Sequence, residues 1–342
     1  MTNVMDKTRL TWLLIGVLIL IIRVETTGGI SRVNSKATNL QEIAQPFLPV
    51  QQYLTNQVKL LLPEPQQALL AGILLGVQSD LPTSLKQDLQ TTSTIHIAVV
   101  SGQNLTLLVG FMMSLASLFG RKKTVILSLC VSLIYSLITG LQVPVIRAAI
   151  MVDLALIAQL LGRDKESYWI LLLTGLAMLI YNPSWILSVS FQLSFLATIG
   201  AVIVAPKLGV LLKSVPDLIR EDLSVSLAAQ ALTMPVIAAT FHQISLIGVL
   251  ANMFILWTIG PIMISAILAI LISFIFLPLG ELLALIPGIL ITYLIYMVNF
   301  FASLPLAAIK VQNVLPIVWL GYYLLLISLI WLVAMEDKQV QD

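Results

Sequence analysis

Long apolar runs recur along the chain from Leu10 to Met335, each closed by charges or by Pro and Gly. Many reach the roughly 20 residues that span a hydrocarbon core. The pattern predicts membrane-spanning helices over about 10–24, 95–119, 124–141, 145–162, 168–181, 184–205, 224–241, 247–277, 282–303 and 314–335. Together they describe an all-α, polytopic transmembrane helix bundle of about ten or eleven spans. The run at 247–277 is too long for one simple helix, and Gly260-Pro261 in its middle predicts a kink or a break. "ALLAGILLG" at 68–76 is too short to cross; Pro63 and Pro65 precede it and "QSDLP" ends it. It reads as a half-membrane helix, tolerable only if buried in protein. Its Gly72-x-x-x-Gly76 spacing admits close helix packing.

Polar stretches divide the chain into an N-terminal membrane anchor at 1–24, an external polar segment at 25–66 and a transmembrane core at 67–342. The first apolar run follows Lys7 and Arg9, as a cleaved signal peptide would, but "RVETTGG" offers no small-x-small cleavage site and favours a retained anchor. In the external segment, "NLQEIAQPFLPVQQYLTNQVKLLL" has the pattern of amphipathic helical pieces lying on the membrane.

Composition agrees with the pattern. Of 342 residues, 59% are hydrophobic and 10% charged, with mean hydropathy +1.02; soluble domains carry about 25% charge. A net charge of +2 gives no argument for a nucleic-acid or acidic partner. Cys130 is the single cysteine, which excludes disulfides and cysteine-metal sites within the chain. Charge does set orientation. Loops at 120–123, 163–167 and 206–222 hold three, two and three Lys or Arg, whereas those around Gln142-Val143, Asn182-Pro183 and His242-Gln243 hold none. The basic loops are therefore expected in the cytoplasm, together with the N-terminus, in a multi-pass protein of the cell membrane.

The predicted span at 95–119 carries His96, Ser101, Gly102, Gln103 and Asn104 in its first half. On a regular helix of about 100° per residue, His96 and Gln103 fall almost in line and Asn104 lies about 100° round. Two readings stand: hydrogen-bonded packing between helices, or the lining of a cavity, which the crowding favours. His96 and Ser101 would point about 140° apart, which argues against a serine-histidine catalytic pair. Arg147 opens the apolar helix after "LQVP"; it either snorkels to the outer surface or faces a wet interior. Topology sets His96 and Arg147 at similar depth, within reach of one vestibule. Asp153 lies deeper on the Arg147 helix and needs a partner or a proton. Gln192, Ser194, Asn252 and Glu281 are further polar groups within or beside predicted spans. There is no P-loop, no HExxH motif and no metal-ligand cluster, His96 and His242 being the only histidines, so neither a cofactor nor enzymatic catalysis is expected.

"HIAVVSGQNLTLLVG" resembles the His-(apolar)-Ser-Gly signature of the membrane core of ComEC-type competence proteins. "LLPEPQQALLAGILLGVQSDLP" looks like the short helix before that signature. The stretch from "GLQVPVIRAAIMVDLALIAQLL" through "NPSWILSVSFQLSFLATIG" is similar to the family's Arg-Ala-x-x-Met helix and Phe-Gln-Leu-Ser-Phe segment. "AQALTMPVIAATFHQISLIGVLANMFIL" resembles its later Gly-x-x-Ala-Asn stretch. The four blocks fall in order over roughly residues 60–260. The matching positions are His96, Ser101, Gly102, Arg147, Ala148, Met151, Gln192, Ser194 and Asn252. Asn104 stands where the family often has a second histidine, which keeps a hydrogen-bonding group and removes a titratable one.

The resemblance implies inward passage of single-stranded DNA during competence, on a path touched by His96, Ser101, Gly102, Gln103, Asn104 and Arg147. The chain is then either naturally minimal or assisted by separate proteins, a DNA receptor, a nuclease and a cytosolic helicase or motor; membrane lipid surrounds it, and a homo-oligomer is left open. Residues 25–66 are too few for the family's external OB-like domain, and the chain stops at "MEDKQVQD" without the metallo-β-lactamase-like one. The expectation is a channel core alone. The competing readings are a small-solute transporter with a midplane site between broken helices and a structural membrane subunit that transports nothing.

Overall fold

The structure, a computed structural model, describes residues 7–26, 40–77, 80–163, 166–311 and 316–341. It is an all-α bundle. The anchor forms α1 (Lys7–Thr26), which packs on α10 (Ser167–Tyr181) through Gly16 and Leu176. Of the external segment, 27–39 lies outside the described residues, and the rest contains α2 (Leu40–Ala44) and α3 (Leu48–Leu61). α3 docks its Thr55 and Val58 face onto the protein and leaves Leu48, Val50, Tyr53 and Leu60 open.

The expected short helix is α4 (Gln66–Leu75), and every residue from Ala68 to Leu75 is buried. Leu69 and Ile73 sit in the main core with Val58 of α3, Ile262 and Met263 of α15 (Ile259–Ser273), and Ile291 and Leu294 of α16 (Leu277–Ala302). Its two glycines have different tasks. A side chain at Gly72 would collide with the Ala98 carbonyl, so Gly72 permits backbone contact; Gly76, with φ of 75°, ends the helix in the left-handed conformation.

Residues 95–119 do not form the expected span. α5 (Thr83–Thr91) leads to a 3-10 turn at Ile95–Ile97, then irregular backbone, then α6 (Gly102–Ser114) and α7 (Ala116–Phe119). The physical reason is local: Ser101 is extended and its hydroxyl accepts from the Asn104 amide, so a helix starts here rather than passing through. Irregular backbone at this depth is tolerable because Ile97, Ala98 and Val100 are buried in protein.

α8 (Arg121–Ile138) and α9 (Val143–Leu160) form a hairpin against α6, with Val100, Leu105, Val125 and Val145 between them. α11 (Val189–Ile199) runs through a π turn at Gly200–Val204 into α12 (Ala205–Leu211), because Gly200 lies against the Ala228 backbone of α13 (Asp217–Phe241). Pro235 in α13 cannot donate to the Ala231 carbonyl. Tyr322 of α17 (Pro316–Gln341) supplies that hydrogen at 2.9 Å, and Tyr323 reaches Leu232 at 3.0 Å.

The long run at 247–277 is α14 (Gly248–Ile255), a 3-10 turn at Leu256–Thr258, and α15. The irregularity thus precedes Gly260-Pro261, because Pro261 falls in the first turn of α15, where its missing N–H has no intrahelical acceptor to lose. A short antiparallel ribbon, β1 (Gln243–Ser245) with β2 (Ala308–Lys310), ties the end of α13 to that of α16.

Among the described residues, five helices are long and apolar enough to cross a membrane: Val143–Leu160, Val189–Leu211, Ile219–Phe241, Gly248–Ser273 and Leu277–Ala302. Against the ten or eleven spans expected, α10 is apolar but has 15 residues, and α8 opens on Arg121, Lys122 and Lys123. Apolar side chains such as Ile275, Ile289 and Ile317 stand 88, 69 and 71% exposed, a surface that only lipid solvates without penalty.

Candidate functional site

A short helix inside a membrane protein has a problem at its carboxyl end: its last carbonyls lack helical donors. In α4 two side-chain amides solve it. Asn104 Nδ2 donates to the Ile73 carbonyl at 2.8 Å, and Gln51 Nε2 of α3 donates to Leu75 at 2.7 Å. Asn104 is itself 3% exposed and held by Ser101 Oγ, which donates to Asn104 Oδ1 at 3.0 Å. The Ser101–Asn104 pair therefore starts α6 and terminates α4 at once. The carbonyl end of one interior helix is fastened to the amide end of another.

Arg147 lies on the first turn and a half of α9 and comes against the start of α6. A Cβ at Gly102 would stand 2.5 Å from Arg147 Nη2, 2.9 Å from Ala148 Cβ and 3.1 Å from the Pro144 carbonyl. Only glycine leaves room for the guanidinium there. Arg147 Nε is buried without a partner, and no hydrogen bond or ion pair joins the side chain to a described residue. Its surroundings are electrostatically awkward. The first-turn amides of α6 have no intrahelical acceptor and carry the positive end of that helix. A cation set against a helix amino end is repelled unless an anion or water lies between.

The remaining residues divide by position. His96 is in the 3-10 turn, not on the helix of Gln103, so their expected alignment does not occur. Its Nδ1 lies 3.1 Å from the Ser93 carbonyl. The residue is exposed. Gln103 is exposed. The structure thus brings Ser101, Gly102, Asn104 and Arg147 into one cluster. Gln192 instead donates to the Ile186 carbonyl at 2.9 Å on α11, and Ser194 accepts from Thr198 through its carbonyl. Asn252, on α14, has a buried Oδ1 without a partner. Asp153 lies on α9 opposite α8, where its carboxylate meets Ser132.

Sequence reasoning passed over three groups: Gln51, the glutamine that closes α4; Gln142, whose amide lies against Gly76; and Ser128, Ser132 and Tyr135 on α8. The last had a visible signal, the four-residue spacing of Thr124, Ser128, Ser132 and Ser136. Among the described residues no group of three or more His, Cys, Asp or Glu lies close enough to hold a metal ion.

Fold and site together define an integral membrane protein built around a buried half-helix, with an arginine that no described residue pairs at the mouth of a second interior helix. Residues 73–336 match the family model described as Competence protein, and the chain belongs to that family. It is 24% identical over 228 residues to ComE operon protein 3 of Bacillus subtilis (strain 168), which covers 64% of this chain and 29% of the relative. It is 28% identical over 235 residues to the uncharacterized protein YcaI of Escherichia coli (strain K12), covering 64% of this chain and 30% of that one. The chain thus aligns with under a third of either relative's length. No solved structure matches it.

Proposed function

We propose that the chain forms a channel core passing single-stranded DNA across the cell membrane into the cytoplasm during competence. The observation that carries this reading is the Arg147 guanidinium, left without a partner among the described residues against the amino end of α6, on a segment that matches the competence family. A phosphate group supplies the anion that both the guanidinium and the first-turn amides lack. Gln103, exposed on the first turn of α6, offers a further donor, while Ser101 and Asn104 hold the two interior helices together. The chain acts as a conduit rather than an enzyme. Strand separation, degradation of the complementary strand and pulling fall to a DNA receptor, a nuclease and a motor on other chains.

The test is deletion of the gene followed by separate assays of DNA held at the cell surface and DNA protected inside. Surface binding is expected to persist, and internalised strand to vanish until the wild-type gene is restored. Uptake unchanged by the deletion, or DNA degraded by the purified chain with Mn²⁺ or Zn²⁺, would contradict the reading. Interior helix ends facing each other beside a charge also suit a carrier of small anions. That alternative gains if deletion stops accumulation of a small anion and leaves DNA uptake intact.

Orientation follows from the basic loops. On a Cys130→Ser background, cysteines replacing Lys122 and Lys213, both exposed, are expected to label only from the cytoplasm. One replacing Lys86, on α5, is expected to label from outside. Lys165, the equivalent probe in the next basic loop, lies outside the described residues. Labelling of position 122 from outside sealed cells would invert the whole assignment.

A further inference from the structure

α8 is inside out. Ile126, Leu127, Leu133 and Ile134 are exposed, whereas Thr124, Ser128, Ser132, Ser136 and Thr139 are buried against the neighbouring helices. Hydroxyls on a membrane helix usually satisfy themselves on the carbonyl one turn back. Thr124, Ser136 and Thr139 do so, donating to Gly120, Ser132 and Tyr135 at 3.0, 2.8 and 2.9 Å. Ser128 and Ser132 do not: both side chains are fully buried, and neither hydroxyl has a hydrogen-bond partner of ordinary geometry. Buried hydroxyls are rarely left idle.

What faces Ser132, one turn along α8 from Ser128, is a carboxylate. Asp153 of α9 meets Ser132, and its Oδ1 is buried without a partner. Among the described residues no ion pair joins it to a cation. Arg147 lies six residues earlier, roughly 9 Å along the axis and about 120° round the helix. Of the other elements packed on α9, α6 and α11 carry no ionisable side chain. α8 offers Tyr135, which approaches Asn104, Cys130, which is exposed, and its terminal Arg121, Lys122 and Lys123. α10 offers tyrosines at its two ends, Tyr168 and Tyr181.

We propose that Asp153, Ser132 and Ser128 form an intramembrane site for one monovalent cation, either Na⁺ or a hydrated proton. A single carboxylate balances a single charge, and hydroxyl oxygens complete the hard, all-oxygen environment that such ions prefer. Ionisable groups within membranes commonly mark ion paths. The site goes beyond the DNA reading, and its test uses no DNA.

The test is thermal unfolding of the purified full chain in lipid nanodiscs. Na⁺ is titrated against choline at constant ionic strength, and pH is varied separately without Na⁺. A ligand that binds only the folded state raises the unfolding temperature saturably, here by on the order of 5 °C at a large excess over its Kd. A rise in the first series identifies Na⁺; a rise only on acidification identifies the proton. Either response should vanish in Asp153→Asn, shift to about tenfold higher cation in the Ser128→Ala/Ser132→Ala double variant, and persist in Ser136→Ala, whose hydroxyl is already used. The double variant keeps the carboxylate and decides the matter if the asparagine variant fails to fold. No response in either series, or an unchanged response in the double variant, overturns the site.

Discussion

Replacing Arg147 by alanine is expected to lower DNA uptake about ten- to hundredfold while leaving protein abundance unchanged or higher. The fold-change corresponds to one charged hydrogen bond to phosphate, worth about 1.5–3 kcal/mol. The abundance argument has the opposite sign. A guanidinium with no partner among the described residues, set against the positive end of α6, costs stability. Removing it relieves the fold and disables the function, the pattern of a residue kept for its ligand. Arg147→Lys should restore uptake only in part, because lysine keeps the charge but loses the planar fork that fits phosphate. Gly102→Ala is expected to lose both uptake and protein, since its methyl would crowd Arg147 Nη2 and Ala148 Cβ alike, so the two arginine variants decide the assignment. Quantitative blotting and internalised DNA from the same cells check all three. In those two, uptake defects that merely follow lost protein would sink the assignment.

Asn104→Leu is expected to fail in the other way, through the fold. It leaves the Ile73 carbonyl buried without a donor and breaks the bond from Ser101, each at a cost of about 1–3 kcal/mol. The purified variant should unfold roughly 5 °C or more below wild type, and its level in cells should fall. Gln103→Leu, one residue earlier, removes an exposed amide with no such bond and should keep a normal level with reduced uptake. Unfolding temperatures of the two variants, measured side by side, separate the roles. Equal stability would mean that the Asn104 bond does not hold α4 and α6 together.

Much of this molecule was legible from hydropathy, because lipid imposes a blunt rule: every crossing needs a long apolar helix with its backbone satisfied. The all-α class follows from that rule. So does the short helix at Gln66–Leu75, whose 10 residues are too few to cross and whose stretch from Ala68 on is too apolar for a loop. Competence membership was readable from four ordered blocks. The resemblance also singled out Gly102 and Arg147, although nothing in their spacing said that one makes room for the other.

Where the sequence read a continuous span at 95–119, the chain instead places a turn, irregular backbone and a fresh helix start. A hydropathy window averages over a helix boundary and cannot see it, while the Ser101 cap at that point is a short-range signal easily outvoted by the apolar residues around it. The rest depended on distance along the chain. The partner that fixes Asn104 is a carbonyl 31 residues away, and the donor that ends α4 comes from 24 residues before it. Whether a serine on α8 satisfies itself or stays free depends on what α9 brings opposite. A sequence specifies which groups need hydrogen bonds; only the packed chain decides which are met by the protein and which are left for a ligand.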